Sequence, residues 1–295
     1  MEFTHSEKNQ EQWSEVIAPG SSLFDLKLAE VWRYRDLLML LVRRDFVATY
    51  KQTVLGPVWF FLQPILTTIT YIFIFGNIAN IGVGSAPPFL FYIAGITLWN
   101  YFADCLNKTA TVFKDNATVF GKVYFPRLIM PLSIIVSNLV KLGIQFLLFL
   151  IAWIYFMVVK DPAHPVMPNA TILLLPVLVF IIGGLGLGFG MLISAMTTKY
   201  RDLIFLLTFG IQLLMFATPV IYPINSPTIG HRIKPILMAN PMSSVIETFR
   251  YAFIGSGGGT FSWGYLGYSA LFTLIIMMLG TVVFNKVEKS FMDTV

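Results

Sequence analysis

The sequence predicts an all-α integral membrane protein. It should have six transmembrane helices with both termini cytoplasmic, an amphipathic interface helix before the first span, and short re-entrant helices before the last. Three observations predict this. The 295 residues are 56% hydrophobic and only 12% charged, with a mean hydropathy of +0.74. Soluble domains carry about twice that share of charge, so lipid is the default solvent of this chain. Charge also stops abruptly: after Arg43, Arg44 and Lys51, no Asp, Glu, Lys or Arg appears from Gln52 to Ala103. Finally, six apolar segments follow, each long enough to cross about 30 Å of hydrocarbon at about 1.5 Å per residue.

Residues 1–26 form a polar tail with Glu2, Glu7, Glu11, Glu15 and Asp25, and lack the apolar core of a secretory signal peptide. Residues 27–52 alternate charge with apolar bulk at Leu28, Val31, Trp32, Leu37 to Val42, Phe46 and Tyr50. That apolar run is too short to span and is flanked by Lys and Arg. It reads as a helix lying on the cytoplasmic face, with a soluble amphipathic helix as the alternative. Residues 53–295 form the six-span domain, with apolar segments at 57–79, 88–107, 128–158, 171–196, 203–222 and 264–285. The third is too long to stand upright, so it tilts or projects. The fourth contains Gly183, Gly184, Gly186, Gly188 and Gly190. The pairs 184/188 and 186/190 read either as close-packing surfaces or as flexibility.

Orientation follows from the cations. Most of the 20 Lys and Arg fall on one side of the predicted spans, against Lys160, Arg232, Lys234 and Arg250 on the other. The cation-rich side faces the cytoplasm. The net charge of +5 therefore reflects cytoplasmic loops rather than nucleic-acid binding. The cytoplasmic loop 108–127 reads as a short helix, broken near Gly121 and stopped before Pro126. Residues 223–262 belong outside, yet they are half apolar and are broken by Pro223, Pro227, Pro235 and Pro241. Their short apolar pieces read as re-entrant helices, which need protein or water to cover their backbone.

Catalytic chemistry is hard to place. Gly121-Lys122 is followed by Val123, so there is no phosphate-binding loop, and ATP and Mg would have to be bound by another chain. The single Cys105 and the scattered His5, His164 and His231 give no metal spacing. A membrane-embedded glycan-processing enzyme would have to draw on Asp104, Glu247 and His231, which do not converge on a motif. Glu247 and Arg250 are three apart and would pair on a helix. Lys141 reads as an isolated cation within a span, either functional or snorkelling toward the cytoplasm.

Polar stripes are more informative. In the first span Trp59, Gln63, Thr67, Thr70 and Asn77 fall within about 80° of arc. In the second, Tyr92, Trp99, Asn100, Ala103 and Asn107 fall within about 100°, as do Phe205, Thr208, Gln212, Met215 and Tyr222 in the fifth. Rings beside uncharged amides and hydroxyls suit the apolar faces and OH groups of a sugar chain. The alternative is helix–helix hydrogen bonding with interfacial aromatic belts. Arg43, Arg44 and Lys51 read as an anchor to anionic lipid or as a seat for a phosphorylated lipid headgroup.

Four stretches carry a family resemblance. They are Arg44-Asp45-Phe46 with Tyr50 to Trp59 and Gln63-Pro64; Lys122 to Arg127 with Pro131-Leu132-Ser133; Lys199 to Leu203; and Thr218 to Pro223 with Asn240-Pro241-Met242 and Phe249-Arg250. In this order they resemble the permease subunit of polysaccharide ABC exporters, the type-2 class that exports lipid-linked O-antigen, capsule or teichoic acid. The resemblance implies a non-catalytic homodimer in the bacterial cytoplasmic membrane, working with two separate ATPase subunits. It implies that Arg43, Arg44 and Lys51 lie near the substrate pyrophosphate. It also implies that Phe113, Lys114, Asp115, Asn116 and Phe120 lie in the element coupled to the ATPase. Residues 223–262 would form an outer gate, and the first, second and fifth spans would line the channel. A type-2 permease for drugs or lipids is the alternative transport reading.

Overall fold

Helices account for all the regular structure among the residues described by the computed structural model. Those residues are 28–51, 53–120, 125–159, 161–200, 202–226, 229–230 and 232–291. The expected tail 1–26, His231 and the motif residues Gln52, Lys122 and Arg201 lie outside them.

Helices α1 (Leu28–Arg33) and α2 (Arg35–Tyr50) are nearly continuous, because Tyr34 and Leu38 keep helical hydrogen bonds across the join. Leu41 is buried with Phe113, Ile129, Met191 and Phe284. On the other side Trp32, Met39 and Leu40 are exposed, at 71%, 60% and 63%. The helix therefore has one apolar side docked on protein and apolar residues open on the other.

Gly56, at φ +52°, turns the chain into the first span, since a side chain is strained in that conformation. The span runs as a short 3-10 turn, then α3 (Trp59–Tyr71), then a π-helical end at Ile72–Ile78. The hub is α4 (Pro88–Ala110), in which Leu90 to Trp99 are buried without a break. The two short helices α5 (Val112–Asp115) and α6 (Ala117–Phe120) follow it, so the expected loop helix is already broken at Asn116. Helix α7 (Ile129–Val159) has 31 residues and is about 46 Å long at 1.5 Å per residue, which bears out the overlong third segment.

Helix α8 (Leu175–Lys199) is sandwiched between α4 and α12 (Trp263–Phe291). Its glycines sort onto two faces. A Cβ on Gly186 would lie 2.6 Å from Cys105 Cβ, and one on Gly190 would lie 2.5 Å from Thr109 Cβ, both on α4. A Cβ on Gly184 would meet Thr273 at 2.6 Å, and one on Gly188 would meet Ile276 at 2.8 Å, both on α12. The two small-xxx-small pairs are therefore close-packing surfaces against two different helices.

Among the described residues five helical segments are long and apolar enough to cross a membrane: Gly56–Ile78, Pro88–Ala110, Ile129–Val159, Ala170–Lys199 and Trp263–Val287. Of the expected sixth, 203–222, α9 (Leu203–Phe216) is helical, about 21 Å long, and Ala217 to Val220 form turns. Pro219 supplies no N–H, and the Thr218 hydroxyl bonds back to Leu214 O, so the helical ladder stops there. The region before α12 holds α10 (Lys234–Ala239) and α11 (Pro241–Ile254), the latter almost wholly buried.

Candidate functional site

The stripes separate into exposed and buried sets. On α3, Trp59, Gln63 and Thr70 are exposed and Thr67 is half-buried, with Asn77 exposed on the π-helical end. On α9, Phe205 is 81% exposed and Thr208 and Gln212 are exposed beside it. The hydroxyls of Thr67, Thr70 and Thr208 donate to the carbonyls of Gln63, Leu66 and Ile204 on their own helices at 2.8–2.9 Å. The amides of Gln63 and Gln212 have no hydrogen-bond partner among the described residues. An unpaired amide on an otherwise apolar helix needs water or another chain to satisfy it.

The second-span stripe lies deeper in the protomer. Tyr92 is fully buried and Trp99 is 4% exposed, while Asn100, Ala103 and Asn107 are half-buried. Because α4 packs against α3, α7, α8, α9 and α11, the Tyr92 and Trp99 part of its stripe is a packing surface within the protomer. Tyr71 links the three stripes: its ring stands edge-on to Tyr92 at 6.3 Å, and its hydroxyl lies 3.6 Å from Met215 Sδ on α9. Tyr222 is half-buried and donates to Phe216 O at 3.0 Å, so it closes the end of α9.

Arg43, Arg44 and Lys51 are all exposed. Arg44 is paired with Asp45 at 2.8 Å and reaches Asn116 Oδ1 at 3.5 Å, the outer limit of a hydrogen bond. The basic element and the loop after α4 therefore touch. In that loop Phe113 is buried and stacks on Phe284 at 4.7 Å, whereas Lys114 and Asp115 are exposed. Thr111 donates to Asp115 at 2.6 Å, and Asn116 donates back to Val112 O. The Phe120 side chain lies outside the described residues.

At the opposite end of α4 the structure joins residues far apart in sequence. Fully buried Arg250 donates to Phe91 O at 3.1 Å, Pro219 O at 2.5 Å and Val220 O at 2.6 Å, and its guanidinium sits 3.5 Å from the centre of the Phe91 ring. The Pro219 and Val220 carbonyls belong to the turn where α9 stops. Asn240 caps α11 by accepting from Met242 N, and donates to Thr218 Oγ at 2.8 Å. Glu247 lies 3.9 Å from Arg250 and accepts from the Thr260 N–H and hydroxyl at 3.0 and 3.1 Å. Phe146, Phe149, Trp153, Phe249 and Phe253 pack α11 onto α7 with ring centroids 4.8–6.2 Å apart. In the loop after α7, the His164 ring hydrogen-bonds Asp161 at 2.9 Å and holds that carboxyl below its usual range.

Lys141 and Asp104, expected to stand alone, form an ion pair at 2.6 Å across α7 and α4. Thirty-seven residues separate them, and no local spacing signals the contact. Among the described residues no group of three His, Cys, Asp or Glu could hold a metal ion.

Apolar helices of this length, five of them among the described residues, with the buried α11 packed before the last, make this a multi-pass membrane protein. Residues 36–254 match the family model for ABC-2 type transporters, and the chain belongs to that family. It is similar to the O-antigen export system permease protein RfbA of Myxococcus xanthus, with 29% identity over 76% of this chain and 82% of that protein. The RfbA protein of Klebsiella pneumoniae is 27% identical over 88% and 94%, respectively. The polysialic acid transport protein KpsM of Escherichia coli is 23% identical over 85% and 93%.

Proposed function

We propose that this chain is the permease half of an ATP-driven exporter that carries a lipid-linked polysaccharide across the bacterial cytoplasmic membrane. The substrate class rests on the relatives named for O-antigen and polysialic acid export. The pathway rests on one observation: Gln63 and Gln212 project unpaired from the exposed faces of α3 and α9, beside Trp59 and Phe205. In a homodimer those faces would border a channel in which amides meet sugar hydroxyls and rings meet their apolar faces. Uncharged groups would pass a glycan along without trapping it.

In this reading α9 is the sixth span, completed by the turn 217–222 that α4 and α11 cover, and both termini are cytoplasmic. Helices α10 and α11 re-enter from the outer face. Arg43, Arg44 and Lys51 receive the lipid-linked pyrophosphate, and α5 and α6 receive the motion of two ATPase subunits that bind ATP and Mg. The chain itself hydrolyses nothing.

Purification of the complex and a deletion strain test this reading. Two copies of this chain with two ATPase subunits are expected, together with loss of surface glycan in the deletion strain and its accumulation inside. Intact surface glycan would overturn the substrate, and a chain with no ATPase partner would overturn the transporter mechanism.

A further inference from the structure

A polar cavity of about 240 Å³ lies where α2, α3, α4 and α7 meet, lined by Asp45, Asp104, Lys108, Ser137, Asn138 and Lys141 and walled by Phe46 and Phe60. The two rings stack at 5.7 Å and close one side. Both carboxylates already have cations, since Asp45 pairs with Arg44 at 2.8 Å and Asp104 with Lys141 at 2.6 Å. Lys108 is the surplus charge. Its ammonium touches only the neutral Asn138 Oδ1, at 3.3 Å, and has no carboxylate partner among the described residues.

Two further polar groups in the lining lack an oxygen acceptor among the described residues. Asn138 is 2% exposed, and its Nδ2 faces only the Cys105 thiol, a weak acceptor that leaves the second N–H free. Ser137 is 7% exposed and its hydroxyl is also unsatisfied. Buried polar groups left unpaired cost free energy, so they point to a partner that supplies acceptor oxygens. Beside the cavity, Leu139 and Val140 of α7 are exposed at 42% and 41%, an apolar surface next to a polar hole.

We propose that this cavity binds the phosphodiester of a membrane phospholipid. Its phosphate oxygens accept from Lys108 Nζ, Asn138 Nδ2 and Ser137 Oγ, and its acyl chains lie along Leu139 and Val140. One surplus ammonium matches the single charge of a phosphodiester, whereas a pyrophosphate would bring a charge that the site does not balance. Because α2 contributes Asp45 and Phe46, the bound lipid holds the interface helix against α4 and α7. The site requires nothing of the exported substrate.

The test is native mass spectrometry of the purified full chain, titrated with dioleoylphosphatidylglycerol, with dioleoylglycerol as the probe that lacks phosphate. Saturable binding of the phospholipid alone is expected. It should weaken about tenfold in Lys108→Gln, as one charge-assisted contact is lost, and less in Ser137→Ala, while Lys108→Arg retains it. Lys108 is exposed, so its variants should melt as the parent does. Equal binding of dioleoylglycerol, or unchanged affinity in both Lys108→Gln and Ser137→Ala, would overturn the site. Displacement of the phospholipid by a lower concentration of undecaprenyl pyrophosphate would overturn the phosphodiester assignment in favour of a carrier-lipid seat.

Discussion

Arg250 Nη2 donates to the Val220 carbonyl at 2.6 Å, so a buried guanidinium closes the end of the helix that Pro219 interrupts. The freed carbonyls of Pro219 and Val220 need a donor in a water-poor interior, and Arg250 offers several in a rigid fork. Gly95 makes room for it: a Cβ there would lie 2.5 Å from the same guanidinium nitrogen.

Replacing Arg250 with Gln should destabilise the protein by about 3–5 kcal/mol, because Glu247 and three carbonyls would be left buried with too few partners. Thermal melting in detergent measures this. A melting temperature unchanged from the parent would show that water can replace the guanidinium.

The glycine faces of α8 predict a contrast. Gly186→Val and Gly188→Val should prevent stable folding, because backbone or Cβ atoms of α4 and α12 occupy the space. Gly210→Ala on α9, which meets nothing within 4 Å, should be tolerated and should gain up to about 1 kcal/mol of helix propensity. Expression and gel-filtration profiles of the three variants check it.

If α3 and α9 border the pathway, Gln63→Leu with Gln212→Leu should cut glycan export severalfold while the melting temperature stays level or rises. Surface glycan per unit of membrane-inserted protein is the readout. Export at the parent level would remove both amides from the pathway.

Arg44→Ala should lower export without lowering protein level. The exposed Arg44–Asp45 pair contributes at most about 1 kcal/mol to folding, so a loss of function would not reflect a loss of fold.

Phe113 and Lys114 should behave differently although they are adjacent. Phe113→Ala removes a buried ring stacked on Phe284 and should cost about 3–5 kcal/mol. Lys114→Ala, on an exposed side chain, should leave melting unchanged and alter only the ATPase rate of the assembled complex.

The spans were legible because hydrocarbon imposes a length and a charge limit that any 20-residue window reveals. The break at Lys51 and Gln52, the overlong α7 and the paired glycines of α8 are all of this local kind. What the sequence by itself determined is therefore the class of solvent, the helices and the residues that share one helical face. Which neighbour each face meets was decided only by the tertiary structure. The stripe on α4 has the same period as those on α3 and α9, yet Tyr92 and Trp99 are buried because α4 packs against five other helices. Lys141 with Asp104, and Arg250 with Val220, are pairings across 37 and 30 residues. Periodicity reports the angle of a side chain about its own axis. Helix-to-helix contact depends on how close two backbones can come, and for α8 against α4 and α12 that is set by the α8 glycines.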